Sequence, residues 1–417
     1  MTPLLQQTYR YSWISLLLIY PAIFFMTPSR AVVLFWLPLL AGWRWMAHNR
    51  PIPKTSFNPA ILLLTIMIAV SAWATPDLAF SLPKIAGLLF GIAVFYMVVD
   101  LNTLAAPQPQ RNNWTITALL LLAGGFVLVG FVNFYPPLAV RLPSILHFEV
   151  NPNEVSGILT YSWPLLVALT VWHIRQQGRT AGQTQFVHSL LAGLMSVAGL
   201  IGVGILYLTT SRGGQVACLA AVGLIAIFST RRLRAVMLGG SVVLLLAAGV
   251  YLMQAVPSAA PAEAGSNANA TLQLTLANRT ELWERGVKGI QDFPLTGMGM
   301  NIFRRAMPEL YPLEAVSAEF DFAHAHNHLL QAALDLGVPG LFAYLWIWIL
   351  AAWQLLHTWR TAPSPRLRFL ALGIAASLLA HFLFGITDAI ALGAKPGFLL
   401  WMLFGVAASL PTTQTTT

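Results

Sequence analysis

Residues 324 to 340 read His-Ala-His-Asn-His-Leu-Leu-Gln-Ala-Ala-Leu-Asp-Leu-Gly-Val-Pro-Gly, a polar cluster in a chain that is 57% hydrophobic. An imidazole beside a membrane face costs desolvation energy and is rarely needed for packing. It titrates near neutrality, which suits it to proton transfer. His326 is followed by Asn327 and then, after nine residues, by Gly337-Val338-Pro339-Gly340. Arginine is the second type that can do chemistry here, because its planar fork of donors matches phosphate oxygens. Arg212 lies in Thr209-Thr210-Ser211-Arg212-Gly213-Gly214, whose small neighbours leave backbone N–H groups open to an anion. Arg279 falls in a stretch, 278–291, predicted as a helix with Asn278 as N-cap and Glu281 three residues on, as in a capping box. In that first turn the helix dipole disfavours a cation by roughly a few tenths of a kcal/mol, and a bound anion reverses the sign. Arg279 therefore reads as a phosphate ligand. A neutral base and two guanidinium groups amount to a base plus an anion clamp at a membrane face.

Each of these residues also has a plainer explanation. The His segment can be a solvated loop, and Arg212 can be a snorkelling residue at a helix end. The alternation of His324, His326 and His328 would put all three on one face of a strand, as in a metal site. No multi-thiolate site is available with the single Cys218, and Glu319 and Asp321 are the nearby candidate carboxylates, so neither metal nor cofactor is expected. Supporting roles fall to Asn327, to the cations Arg30, Lys84 and Arg141, which also suit headgroup anchoring, and to Asp388, placed to orient His326 or pair with an arginine. His381 reads as a hydrogen-bonded packing residue.

The elements that must hold these groups are membrane helices. Charged residues make up only 9% of the 417, and mean hydropathy is +0.70; a soluble chain of this length would be about a quarter charged. Apolar runs of roughly 15 to 22 residues recur about twelve times, each able to span a bilayer core of roughly 30 Å with its flanks. They lie near 11–27, 31–47, 59–75, 84–99, 114–133, 155–172, 188–209, 214–229, 235–255, 339–357, 368–387 and 396–410. The dyad alternation of a barrel is absent. The expected fold is all-α and polytopic, with about twelve transmembrane helices and no cleavable signal peptide. Three regions follow: helices one to nine over 1–255, a long hydrophilic loop over 256–327, and an interfacial helix with helices ten to twelve over 328–417. Most Lys and Arg fall on one side when the N-terminus is placed inside, which puts both termini in the cytoplasm and the long loop outside. The net charge of +9 is thus mostly a topology signal; nucleic acid is excluded as a partner because the cations are dispersed in short loops, and membrane lipids are the expected neighbours.

Within the loop, residues 256–272 are small, polar and Pro-bearing and read as flexible. Asn327, Gln331 and Asp335 share a face of a short helix over 327–336, which Gly337 and Pro339 should end.

Together these segments resemble the O-antigen ligase and polymerase superfamily of bacterial envelopes. The resemblance rests on His326-Asn327 with Gly337-Val338-Pro339-Gly340, on Thr210-Ser211-Arg212-Gly213, on Arg279 with Trp283, on Pro294-Leu295-Thr296-Gly297-Met298-Gly299, and on Asn151-Pro152-Asn153-Glu154. It implies a multi-pass enzyme of the bacterial inner membrane with a periplasmic loop and active site. Such an enzyme would transfer a glycan from undecaprenyl pyrophosphate to a sugar hydroxyl of lipid A–core oligosaccharide. His326 would be the general base of an inverting displacement, and Arg212 and Arg279 would clamp the pyrophosphate. An O-antigen polymerase and a protein O-oligosaccharyltransferase share the donor. A transporter or flippase shares the span count, but the chain has few charges near mid-bilayer to couple ions.

Overall fold

The computed structural model describes residues 3–16, 18–19, 32–104, 111–134, 151–228, 231, 235, 239, 268–313 and 324–410. Among these residues every regular element is a helix. In chain order they are α1 (Pro3–Tyr9), α2 (Val32–His48), α3 (Asn58–Ala74), α4 (Leu78–Thr103), α5 (Arg111–Phe134), α6 (Pro152–Gln177), α7 (Gly182–Leu208), α8 (Arg212–Ile227), α9 (Ala268–Asp292), α10 (Phe303–Leu310), α11 (His328–Thr361), α12 (Pro365–Thr387) and α13 (Phe398–Ser409). A 3-10 turn, Lys395–Gly397, leads into α13. Among the described residues six helices are long and apolar enough to cross a membrane: α4, α5 over Trp114–Val132, α6, α7, α11 and α12. Shorter apolar helices over Asn58–Ala74, Arg212–Ile227 and Lys395–Ser409 accompany them. The predicted runs 235–255 and much of 11–27 lie outside the described residues, as do Arg30, Arg141 and loop residues 256–267.

Burial sorts these helices into an inner and an outer set. In α12, 72% of the most apolar window is buried, against 22% in α7. α12 packs against α6, α8 and α11, α13 lies along α4, and α3 lies along α11. Helix starts follow their capping residues. Asn151 accepts from the Asn153 N–H ahead of α6, with Pro152 where a missing donor costs nothing. Asp77 accepts from the Phe80 N–H ahead of α4 and also takes an ion pair from Arg305 on α10. At the other end of α4 the buried Asp100 carboxylate receives a two-pronged pair from Arg44, at 2.7 and 2.9 Å, and the Tyr9 hydroxyl at 2.7 Å, tying α1 and α2 to α4.

Two expectations need correction. The helix predicted over 278–291 begins ten residues earlier, at Ala268. The Ala, Leu and Gln residues of 268–277 carry enough helix propensity to extend it through Asn278, so Asn278 is no N-cap. Arg279 is therefore not in a first turn, and the dipole argument for an anion beside it falls away. Residues 268–272, read as flexible, belong to the same helix. Gly337 ends the short helix as expected: it leaves helical geometry, with φ 71° and ψ 174°, and the next helix starts directly behind it, so that α11 runs on across a kink to Thr361. Pro339 falls in the first turn of the resumed segment, where its lack of an N–H is harmless. At 34 residues α11 is about 51 Å long, well beyond a bilayer core. The part after Gly337 spans by itself, leaving His328–Leu336 as a separate turn-bounded piece.

That break is held by the segment before α10. Met298 N–H donates to Leu334 O at 2.7 Å, and Val338 N–H donates to Pro294 O at 2.8 Å. A Cβ on Gly297 would lie 2.7 Å from the Gly337 nitrogen, and one on Gly337 would lie 2.5 Å from Leu295 O; both glycines have positive φ. The Pro-Leu-Thr-Gly-Met-Gly stretch and the Gly-Val-Pro-Gly stretch are thus the two halves of one interlock. Asp335 and Ser71 complete it. Asn301 N–H donates to Asp335 Oδ1 at 3.1 Å, Met300 N–H to Ser71 Oγ at 2.9 Å, and Ser71 Oγ to Asp335 O at 2.7 Å.

Candidate functional site

The starts of α6, α8 and α11 and the end of α12 meet at one end of the bundle. A Cβ on Gly214 would strike Ser156 Oγ, one on Gly213 would lie 2.4 Å from Thr387 Oγ1, and one on Gly385 would lie 2.7 Å from the His328 ring. Helix N-termini carry partial positive charge and unsatisfied N–H groups, so this end favours anions.

The His segment is fastened from several sides. Asn327 caps α11 by accepting from the Leu329 and Leu330 N–H groups at 2.9 and 3.1 Å, and its Nδ2 donates to Ile386 O at 3.1 Å. Gln331 Oε1 accepts from the Ala325 N–H at 2.8 Å, and Gln331 Nε2 donates to Asp335 Oδ1 at 2.9 Å. From α9, Trp283 Nε1 donates to Ala325 O at 3.0 Å. These contacts hold His326 in a left-handed backbone conformation, φ 49°, which a non-glycine residue adopts only when its surroundings impose it.

What that conformation achieves is a meeting at Asp388, the residue that ends α12. His326 Nδ1 lies 3.1 Å from Asp388 Oδ1. Arg279 Nη2 lies 3.7 Å from Asp388 Oδ2, and His324 Nε2 lies 4.0 Å from Oδ1. The His324 and His326 rings are 4.5 Å apart, and the His326 N–H donates to His324 Nδ1 at 3.2 Å. Asp388 is only 5% exposed. Its burial alone would raise its pKa; the hydrogen bond from His326, the two neighbouring imidazoles and the Ala389 N–H outweigh that and hold the carboxyl below its usual range. An ionised carboxylate can only accept, so His326 carries its proton on Nδ1 and presents a lone pair at Nε2. His324 is lowered to about 3, first by burial and then by His326, so it stays neutral.

The remaining sequence candidates sort by place. Arg212 is exposed at the first residue of α8, next to the Gly213 that abuts Thr387, so its backbone stands beside the end of α12. Lys84, on α4, lies within electrostatic reach of His324. Glu154, at the start of α6, lies within reach of Lys84, Lys395 and Asp388. Lys395 and the bracing residues Trp283 and Gln331 had no assigned role in the sequence reading; only the register of Trp283 with Arg279, one helical turn apart, hinted at a shared task. His328 is buried, with Nδ1 3.1 Å from the Tyr344 hydroxyl, and faces Trp348 and Phe382 rather than Asp388. His381 bonds Thr160 and Tyr161 at 3.0 and 3.1 Å and is a packing residue. Arg30 and Arg141 fall outside the described residues.

Chemically, this is an imidazole held by a carboxylate, with the Arg279 guanidinium on the carboxylate's other oxygen. Residues 196–345 match a family model described as O-Antigen ligase, a glycosyltransferase-like family of ligases and polymerases. No curated protein matches the chain. The matched stretch contains Arg212, Arg279 and His326, while Asp388 closes the site from beyond it. Residues 196–345 of this helical, strongly apolar chain are thus similar to the O-antigen ligase family.

Proposed function

We propose that this protein is an O-antigen ligase that moves a glycan from undecaprenyl pyrophosphate to a sugar hydroxyl of lipid A–core oligosaccharide. The observation that carries the reading is the Asp388–His326 pair with Arg279 on the far carboxylate oxygen. His326 Nε2 takes the acceptor hydroxyl's proton as the oxygen attacks the anomeric carbon, and the bond to the pyrophosphate breaks on the opposite face. The anomeric centre inverts. Arg212 and Arg279 meet the charge that develops on the leaving pyrophosphate, where preformed donors act most strongly. Arg279 sits 3.7 Å from Asp388, beyond hydrogen-bond length, and keeps N–H donors for the donor's phosphates.

The arrangement needs an orientation. Both termini lie in the cytoplasm and the site faces the periplasm of a bacterial inner membrane, with about twelve spans in all. Residues 1–255 and 328–417 form the membrane part, and 256–327 roofs a cavity opening sideways to the outer leaflet. The donor's tail is too apolar to leave the bilayer, so its pyrophosphate is met at the interface, and the acceptor is anchored in the same leaflet. Arg30, Lys84 and Arg141 add positive potential at that face, and Asn327 sets the His326 backbone. The chemistry needs no metal or cofactor.

The test is transfer by purified protein given a lipid-linked glycan and a choice of acceptors. Ligation to lipid A–core supports the reading. Chain growth on a second lipid-linked glycan makes the protein a polymerase, and glycosylation of Ser or Thr makes it a protein oligosaccharyltransferase.

A further inference from the structure

The Asp388 carboxylate divides its two oxygens between different partners. Oδ2 faces Arg279, whereas Oδ1 faces both His326 Nδ1 at 3.1 Å and His324 Nε2 at 4.0 Å. The three ligand atoms all lie within 4.8 Å of one another. Two donors on one tetrahedral zinc, at bond lengths of about 2.0–2.1 Å, stand about 3.4 Å apart. The two carboxylate distances, 3.1 and 4.0 Å, bracket that value and every separation is under 4.8 Å, so side-chain adjustments on the order of an ångström or less would close the set. Two imidazole nitrogens and one carboxylate oxygen, with a fourth position left to water, suit a borderline-soft divalent ion. The loop that supplies both imidazoles is already fixed by Trp283, Gln331 and Asn327, so little ordering remains to oppose binding. Arg279 beside Oδ2 and Lys84 near His324 oppose it, which sets the affinity well below that of a structural zinc site.

We propose that His324 Nε2, His326 Nδ1 and Asp388 Oδ1 form a site for Zn2+ or a similar divalent transition ion, and that occupying it switches transfer off. The ion takes the Nδ1 lone pair of His326. The proton that Nδ1 carried moves through solvent to Nε2, which then has no lone pair for the acceptor hydroxyl. The same ion engages the carboxylate that oriented the ring. The inhibition rests on His326 being the base; the binding site does not.

The experiment uses the full chain, purified on a tag without histidine, in lipid nanodiscs. Zn2+ is titrated calorimetrically and Co2+ is followed by its visible ligand-field bands. One ion per chain is expected. The affinity should be at least tenfold weaker in both His324→Ala and His324→Asn, and in Asp388→Asn. Arg279→Gln removes the opposing charge and should bind the ion several-fold more tightly, a gain that misfolding cannot mimic. Transfer by the parent should fall with the same midpoint as binding and return with EDTA. No stoichiometric binding, parent-like binding by both His324 variants, or weaker binding by Arg279→Gln would overturn the site. Full transfer with the ion bound, or transfer lost when metal is stripped, would overturn the inhibition. If His326→Ala proves active, the base assignment fails while the isotherms still judge the site.

Discussion

His326 and Asp388 stand 3.1 Å apart from elements separated by 62 residues of chain, and the pair decides where a proton sits. Replacing His326 by Ala should lower transfer about 10²- to 10⁴-fold, the usual contribution of a positioned base, with expression and membrane insertion intact. Near-normal ligation by that variant would remove the base assignment. Asp388→Asn is the sharper test. An amide can offer its own N–H to Nδ1, which moves the ring proton to Nε2, so transfer should drop at least about 10²-fold although the shape is kept. A pH–rate comparison of parent and variant separates loss of orientation from unfolding. At the anion clamp, Arg212→Ala and Arg279→Ala should each cost about 10²- to 10³-fold, with Lys a poor replacement because it lacks the fork. Donor binding equal to the parent's in both Ala variants would rule out the clamp. His326 and Arg212 were legible in the sequence because unusual residue types stood beside apolar helices, whereas the dipole argument for Arg279 rested on a helix start that α9 does not have. Asp388 was legible as a residue to orient His326 or pair with an arginine, but nothing in the local sequence chose between the two, and the structure brings both partners to it.

At the scale of elements, the glycines of two distant motifs turn out to face each other. Gly297 and Gly337 both have positive φ, and each would drive a Cβ into the other's backbone. Gly297→Ala or Gly337→Ala should therefore destabilise the region by about 1–3 kcal/mol or more through strain. A lowered melting temperature in detergent, with transfer falling alongside it, is the expected result; parent-like melting of both would show that the interlock does not bear on stability. Gly337 was legible as a turn, but its partner was not, because contact across 40 residues leaves no periodicity to read. The start of α9 was misread for a related reason. Asn278 and Glu281 compose a capping box by type, yet the Ala- and Leu-bearing residues before them continue the helix at lower cost than ending it.

Across the whole molecule, the hydropathy pattern placed the helices α3 to α8 and α11 to α13 to within a few residues at most of their ends, because burial in lipid leaves a strong compositional record. At the start of α11, His328–Leu336 form the short helix expected ahead of the span. How residues 279–313 dock on the bundle had no such record, since their apolar cluster with Leu334 and their hydrogen bonds from Trp283 and Asn301 join residues far apart in sequence. The absence of any step requiring a metal gives a prediction at this scale: transfer by the intact, reconstituted enzyme should persist after EDTA. Loss of activity in chelator, restored by zinc or magnesium, would overturn a metal-free reaction.

The shared carboxylate also bears on the order of events in a turnover. While the site is empty, Arg279 neutralises part of the Asp388 charge and so tempers its pull on the imidazole. On the proposed reaction, an arriving pyrophosphate competes for that guanidinium and leaves the Asp388 carboxylate to orient His326, so the hydroxyl is met only when there is a glycan to receive it. Kinetically this amounts to a compulsory sequence, donor first and acceptor second, with the spent lipid pyrophosphate competing against donor but not against acceptor.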